Sequence, residues 1–176
     1  MSSETLSPAS ALDFCHLAIR QIQFARQYTR ELLDATPQEH WLTIPAGMPS
    51  SIAWQVGHLT VSQYGLLMFR QRGRLPIDLD LLPGRFRKQF ARGSRPRTDC
   101  IETPGSLLQR FHAVHQQALS ELSELVSGES LLEPIEMPYA VYPNKLGAIL
   151  FCPLHEQIHA GQIGLIRRSL GLPSLR

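Results

Sequence analysis

Apolar residues recur at the three- and four-residue spacing of one helix face in four segments of the chain, and no segment alternates apolar and polar residues over the length of a strand. The four segments cover about residues 10–35, 51–72, 103–128 and 146–170. This pattern predicts an all-α fold. Four helices with a long connection between the second and third indicate a four-helix bundle with one long crossover, in which binding sites are built from side chains on facing helices.

Signals at the helix ends set the predicted boundaries. Ser10 is predicted to cap the first helix, which would place Phe14 on the core-facing side. Gly128 is predicted to end the third helix. Pro153 is predicted either to kink the fourth helix or to mark a late start. Residues 73–103 hold repeated glycines and prolines, so we expect a long connection, and connections of this length are often functional.

Length and composition fit one soluble domain spanning residues 1–176. The chain is 43% hydrophobic and 18% charged, which is close to the average for globular proteins. No apolar stretch is long enough to cross a bilayer, and residues 1–10 lack the features of a secretory signal. Cys15, Cys100 and Cys152 are odd in number and far apart, so they are expected to be free thiols. We therefore expect a cytoplasmic protein without membrane contact.

Positive charge is concentrated in residues 85–97, called here the basic segment, which contains no acidic residue. It holds six of the 17 basic residues, and the rest of the chain has 11 basic against 15 acidic residues. The six are Arg85, Arg87, Lys88, Arg92, Arg95 and Arg97. The segment either attracts an anionic ligand or partner, or is solvated with local ion pairs. Nucleic acid is not the expected partner, because the chain as a whole is not strongly basic.

The fourth predicted helix carries the pattern His155-Glu156-Gln157-Ile158-His159. Residues four apart lie on one helix face, so two imidazoles could bind one cation, as they do in H-E-x-x-H zinc helices. In a zinc protease of that type Glu156 would be the general base. The pattern is short enough to occur by chance and no third ligand is evident after it, so a protease is a remote alternative.

A third ligand is available on the second predicted helix. His58 lies between Trp54 and Val61 on the apolar stripe and is therefore expected to face the interior. A buried imidazole without a partner costs about 1–3 kcal/mol. A divalent metal shared with His155 and His159 would explain all three histidines. The alternative is two surface histidines and one hydrogen-bonded core histidine.

Several other residues compete for a role at such a site. His115, on the third predicted helix, is either a further ligand or outer partner or a residue at the rim of the core. Cys152 is either a thiolate near the metal or a small buried hydrophobe. Trp54 either fills the core or lines a pocket. Gly161 and Gly164 are predicted to allow close helix packing.

Two blocks of sequence resemble a known family. Residues 51–59 match the pattern S-x-x-W-x-x-x-H-L, and residues 155–163 match H-x-x-x-H-x-G-Q-I. The second block is followed by Arg167-Arg168 and by Leu170-Gly171, which resemble the R-R-x-L-G close of the same family. The blocks stand about a hundred residues apart, in the order typical of the DinB/YfiT-like metalloenzymes. The middle of the chain is similar only in the number and length of its helices.

The resemblance implies a four-helix bundle, often homodimeric, in which His58, His155 and His159 hold a divalent metal. Relatives are thiol-dependent transferases or isomerases that use low-molecular-weight thiols, and others have no established activity. This chain differs from the family pattern at Pro153 and in the basic segment.

Three protein ligands would leave a coordination position open, as in catalytic sites. A thiol bound there would be held as a thiolate able to attack a small-molecule electrophile, so we expect an S-transferase or isomerase. Glu156 or Gln162 would orient a ligand or an imidazole. Alternatives are a metal-dependent hydrolase that activates water, and a non-catalytic metal-binding or stress-associated module that contacts an anionic partner through the basic segment. An all-imidazole site suits zinc, nickel, iron and copper.

Overall fold

A computed structural model of the protein describes residues 6–99, 102–124, 127–136 and 142–175. In chain order the helical elements are α1 (Pro8–Asp34), a 3-10 turn (Gln38–His40), α2 (Ile52–Tyr64), a π-helical turn (Gly65–Phe69), α3 (Arg70–Arg72), α4 (Asp78–Leu81), α5 (Gly84–Phe90), α6 (Pro104–Ser123), α7 (Gly128–Leu131) and α8 (Lys145–Ser169). Extended pairing in the described residues is limited to one bridge between Pro134 and Asn144. The predicted all-α class is confirmed. Within the described ranges, every helix is too short or too polar to cross a bilayer.

The long helices pack in two pairs, with α1 along α8 and α2 along α6, and α2 also contacts α8. The apolar core lies between these four helices. Ten of the 13 residues of α2 are buried. Polar side chains on α2 therefore face protein rather than bulk water, and His58 is one of them.

Helix α1 begins earlier than the sequence predicted. Ser7, not Ser10, is the N-cap, because its hydroxyl oxygen accepts a hydrogen bond from the Ser10 backbone N–H at 3.2 Å. The predicted core position of Phe14 is wrong, since this side chain is 40% exposed. The small neighbours Ala11 and Cys15 are buried instead, one step further around the helix.

The predicted long connection after Gly73 contains two short helices, α4 and α5. Phe86 and Phe90 of α5 are four residues apart and both are buried, so this helix has its own apolar face. It packs directly against α2 at Gly57, where an added Cβ atom would lie 2.3 Å from Cδ1 of Phe90. A glycine at this position therefore brings the start of the basic segment close to His58.

The predicted end of the third helix at Gly128 is wrong. Helix α6 starts as predicted, with Thr103 as N-cap, but it ends at Ser123 with Glu124 as C-cap. Gly128 instead begins α7 and lies against Pro8, whose carbonyl oxygen would be 2.0 Å from an added Cβ atom. Close contact with the start of α1 is the physical reason for a glycine here.

Helix α8 runs without interruption from Lys145, so the predicted late start at Pro153 is wrong. Asn144 caps it, with its side-chain oxygen accepting a hydrogen bond from the Gly147 backbone N–H at 2.9 Å. Pro153 is buried inside the helix. The predicted close packing at Gly161 and Gly164 is also wrong, because no described neighbour lies within 4 Å of a Cβ atom added to either residue.

Candidate metal centre

Three histidines from two helices converge at one point. His58 comes from α2, and His155 and His159 come from successive turns of α8. One ring nitrogen of each lies within 4.8 Å of the others. The Nε2 atoms of His155 and His159 are 3.2 Å apart, which is close to the roughly 3.3 Å that separates two nitrogens on one tetrahedral zinc ion.

Hydrogen bonds fix which nitrogen of two of these rings carries the proton. Nδ1 of His58 lies 2.9 Å from the Phe90 backbone carbonyl oxygen. Nδ1 of His159 contacts the side-chain oxygen of Gln55. A carbonyl oxygen only accepts, so both Nδ1 atoms must donate. The lone pair of each neutral ring is therefore on Nε2, the nitrogen that a metal would bind.

Burial keeps the three imidazoles neutral at physiological pH. It lowers the pKa of His155 to about 4, with a further decrease caused by the positive form of His58. It lowers the pKa of His159 to about 3, and both neighbouring histidines add to this effect. Burial also lowers the pKa of His58, where the bond to the Phe90 carbonyl opposes the effect and the charge of Arg92 adds to it. Neutral imidazole is the form that binds metals.

Aromatic side chains contact two of the imidazole rings. Trp54 stacks on His58 with ring centroids 4.8 Å apart and planes inclined by 5°. Its indole N–H donates to the Ser94 hydroxyl at 3.0 Å, which links α2 to the basic segment. Phe151 lies 5.6 Å from His155, centroid to centroid. The hydroxyl of Ser62 is 3.3 Å from Nε2 of His58.

A cavity of about 620 Å³ surrounds the histidines. Its other lining residues are apolar, polar or cationic: Trp54, Val61, Ser62, Gly65, Leu66, Arg70, Ala91, Arg92, Gly93, Phe151 and Gln162. Trp54 thus lines a pocket, one of the two alternatives left open by the sequence. No acidic residue of the described chain lines this cavity. The volume is in the usual range for a small-molecule site.

Glu156 does not line the cavity but faces the core, where it is 2% exposed. Its carboxylate accepts hydrogen bonds from Arg26, from Nε at 2.7 Å and from Nη2 at 3.2 Å. Arg26 also donates to the Phe111 carbonyl and to the Gln63 side-chain oxygen, both at 2.9 Å. These four residues come from four different helices. The geometry gives no support to Glu156 as a general base, whereas Gln162 does line the cavity.

His115 and Cys152 belong to the surroundings of this buried ion pair. Nδ1 of His115 lies 3.1 Å from Nε2 of Gln63. Burial lowers the pKa of His115 to about 3, and the charge of Arg26 contributes further. Burial raises the pKa of the Cys152 thiol, as does the charge of Glu156. Neither residue is in the group of three histidines.

The other two cysteines predicted to be free thiols are Cys15 and Cys100. Cys15 is buried and unpaired by any disulfide, and burial raises the pKa of its thiol to about 11. Cys100 lies outside the described residues.

Part of the basic segment lines a second cavity, of about 510 Å³. Its basic lining residues are Arg85, Lys88, Arg95 and Arg97. Arg97 forms an ion pair with Asp99 at 2.5 Å, in which both side chains are well exposed. The expected local pairing is thus present at Arg97, next to a largely cationic concave surface.

Sequence reasoning missed the residues that orient the histidines. Gln55 lies three residues before His58 on the same predicted helix. This spacing places both polar side chains on one helix face, and it was the one sequence signal that could have found Gln55. The Phe90 carbonyl had no sequence signal, because a backbone atom becomes a partner only through the path of the chain.

The donor set fits a divalent cation of the borderline class. Three neutral imidazole nitrogens suit zinc, nickel, iron or copper better than magnesium or calcium, which prefer oxygen ligands. The paired acceptors at Gln55 and Phe90 are the kind of outer partner that metal-binding histidines nearly always have. The residues present therefore fit a metal.

Comparison with known protein families matches residues 21–163 to the DinB superfamily. A search of curated proteins finds no match to the chain. The family match confirms the resemblance inferred from the two sequence blocks and includes His58, His155 and His159. Because it spans well over half of the sequence, the chain belongs to the DinB superfamily.

Proposed function

We propose that this protein is a divalent-metal-dependent enzyme that transfers or isomerises substrates by using a low-molecular-weight thiol. The observation that carries the proposal is the orientation of the imidazoles. The Nδ1 protons of His58 and His159 are directed to carbonyl oxygens, so the lone pairs of these rings are on Nε2, and one ring nitrogen of each of the three histidines lies within 4.8 Å of the others at a ligand-sized cavity. A structural metal site would need a fourth protein ligand, and the described residues supply three.

His58, His155 and His159 would hold the metal. A divalent cation bound by them supplies a Lewis acid with at least one position for a ligand from solution. The chain itself keeps the three rings neutral by burial, holds two of them in one tautomer, and supports His58 through the stacked ring of Trp54. These features favour a preorganised site.

A thiol reaction in this cavity would use a thiol from solution. No cysteine of the described chain lines the cavity, and Cys15 and Cys152 are buried thiols whose pKa is raised. Hydrolysis is the less favoured alternative. A metal-bound hydroxide could attack without a base, but no carboxylate of the described chain lines the cavity to assist it, and Glu156 is engaged with Arg26 instead.

Metal content and thiol transfer together test the proposal. Protein purified without a histidine tag is analysed for zinc, nickel, iron and copper, then assayed with glutathione or cysteine and 1-chloro-2,4-dinitrobenzene or an epoxide. We expect about one metal per chain, and His58→Ala, His155→Ala and His159→Ala should lose both metal and turnover. His16→Ala, at an exposed position of α1, is the matched control. The proposal would be overturned if purified wild type carried no stoichiometric metal and all three variants took up added metal as wild type does.

A second candidate function is a non-catalytic metal-binding module whose basic segment contacts an anionic partner. The second cavity supports it, because its lining includes Arg85, Lys88, Arg95 and Arg97 against a single acidic residue, Asp99. It predicts binding to an acidic polymer such as heparin that weakens as salt rises, and that is lost when Arg85, Arg87 and Lys88 are replaced by glutamine. No retention at low salt would remove this candidate.

A further inference from the structure

The cavity at the three histidines has a strongly one-sided charge. Its charged lining residues other than the histidines are both arginines, Arg70 and Arg92, and no acidic side chain of the described chain lines it. Trp54, Val61 and Phe151 give it apolar walls. A ligand that complements this surface combines a negative group with an apolar body.

Arg92 is placed at the cavity by contacts on both sides of it in the sequence. Two residues before it, the Phe90 carbonyl is bonded to His58 at 2.9 Å. Two residues after it, the Ser94 hydroxyl accepts the indole N–H of Trp54 at 3.0 Å. The backbone that carries Arg92 is therefore tied to two residues of the site itself.

Arg70 approaches the cavity from the end of the π-helical turn. Its Nη1 donates to the Gly65 carbonyl oxygen at 3.0 Å, and Gly65 is itself a lining residue. A guanidinium has five N–H donors, and this bond uses one of them. Arg70 therefore contributes a second positive charge to the wall, held in place by this bond.

We propose that the cavity binds an organic carboxylate, with Arg92 as the main partner of the carboxylate, Arg70 as a second cation, and Trp54 and Phe151 against the apolar part. The planar guanidinium matches a carboxylate with two parallel hydrogen bonds, which makes such pairs stronger than neutral ones. This inference names a substrate class for the proposed function. It rests on that function only in calling the bound carboxylate a substrate. The recognition itself depends on the arginines and not on a metal.

Calorimetric titration at physiological salt tests the inference, with 3-phenylpropionate, its neutral amide and inorganic phosphate as probes. The titrations use wild type in metal-free and zinc-supplemented form, Arg92→Gln, and Arg95→Gln as the matched control from outside this cavity. We expect wild type to bind the carboxylate about tenfold or more tightly than the amide, even without metal. Arg92→Gln should lose that preference and Arg95→Gln should keep it.

Several results would overturn the inference. One is absence of binding of 3-phenylpropionate at millimolar concentration, and another is equal affinity for the carboxylate and the amide. Inorganic phosphate binding as tightly as 3-phenylpropionate would show that the apolar walls do not contribute. A preference that survives in Arg92→Gln, or that needs zinc, would show that something other than Arg92 recognises the anion.

The metal-free arm separates this inference from the proposed function. Carboxylate preference in a protein that takes up no metal would refute the metal-dependent enzyme and support the inference. Metal uptake and turnover without carboxylate preference would do the reverse.

Discussion

At His58 and His159, Nδ1 is bonded to a carbonyl oxygen that can accept but not donate. This removes the choice between two tautomers that a free imidazole has, and it leaves Nε2 as the only available lone pair of each neutral ring. A side-chain amide at Gln55 and a backbone atom at Phe90 thus decide how the histidines can bind a cation. Residues outside the proposed ligand set therefore set the direction of the lone pairs.

Replacing Gln55 by leucine should weaken zinc binding by about ten- to a hundredfold, because the acceptor that holds His159 is lost while the volume is kept. Competition with a chromophoric chelator measures the affinity. Gln27→Leu is the matched control, since Gln27 lies at an exposed position of α1 and should change the affinity little. A Gln55→Leu protein that folds normally and binds zinc as wild type does would contradict this role.

His115 predicts a pH dependence of stability that is independent of metal. Its pKa is lowered to about 3 in the folded protein, mainly by burial, from about 6.5 in the unfolded chain. The unfolded state therefore binds more protons between these values, so the free energy of unfolding falls as the pH decreases from about 6.5 towards about 3. Above pH 6.5 His115 makes no pH-dependent contribution.

His115→Gln should reduce the pH dependence by on the order of 1 kcal/mol between pH 6.5 and 5. Urea unfolding of metal-free protein at a series of pH values provides the measurement, with His16→Gln as the exposed control. An identical slope for His115→Gln and wild type would show that this group is not the cause.

On the scale of elements, the contact between α2 and α5 connects the fold to the site. Gly57 immediately precedes His58, and its lack of a side chain lets the ring of Phe90 lie against the helix backbone. That approach brings the Phe90 carbonyl to His58 and places the following residues, including Arg92, at the cavity. A single small residue therefore positions both an imidazole partner and a cationic wall.

Gly57→Ala should destabilise the protein by about 1–3 kcal/mol. The new Cβ atom would lie 2.3 Å from the ring of Phe90, and this buried ring would have to shift within the packed core. Gly161→Ala is the control from an open helix position, and there we expect a gain of up to about 1 kcal/mol. Urea unfolding distinguishes the two directions. Equal effects of the two substitutions would refute close packing at Gly57.

The sequence predicts the helices well and their contacts less well. Long stripes of apolar residues are local signals, and the predicted starts near residues 51 and 103 agree with α2 and α6, which Ser51 and Thr103 cap. Short elements such as α5 were missed, because seven residues carry too little periodicity to stand out among glycines and prolines. The early start of α1 had a local signal that the prediction passed over, Ser7 directly before Pro8, whereas the contact of Gly128 with Pro8 is tertiary and no local pattern contains it.

The same limit applies to the site. The spacing of His155 and His159 on one helix predicted that they share a face, and the apolar neighbours of His58 predicted that it points inward. That the two helices bring these faces together was one of two alternatives that the residues left open, and the family resemblance favoured it. The partner of Glu156 was out of reach of sequence reasoning, because Arg26 lies 130 residues away in the chain.

On the scale of the whole molecule, the buried cluster at Arg26 joins the four long helices. It combines Arg26 of α1, Gln63 of α2, the Phe111 carbonyl of α6 and Glu156 of α8. Arg26 also lies over the Phe111 ring, 3.4 Å from its centroid. Because Glu156 stands between two of the histidines on α8, this cluster fixes the rotation of that helix relative to the rest of the bundle.

Replacing one member of the buried ion pair should strongly lower the free energy of unfolding, and the effects of replacing both members should not add. Arg26→Met or Glu156→Leu alone should each lower the free energy of unfolding by about 3–5 kcal/mol, because the remaining charge is buried without its partner. The double variant should lose clearly less than the sum. Arg97→Gln, from an exposed pair, should leave it nearly unchanged. Additive losses in denaturant unfolding would contradict the pairing.

We propose that His58, His155 and His159 bind one metal ion, His58 and His159 through Nε2. X-ray absorption spectroscopy of zinc-loaded protein tests it most directly, since imidazole ligands give a characteristic multiple-scattering pattern. We predict three imidazole nitrogens at about 2.0–2.1 Å, with His58→Ala reducing the number. A spectrum with sulfur ligands, or one unchanged by His58→Ala, would contradict the claim.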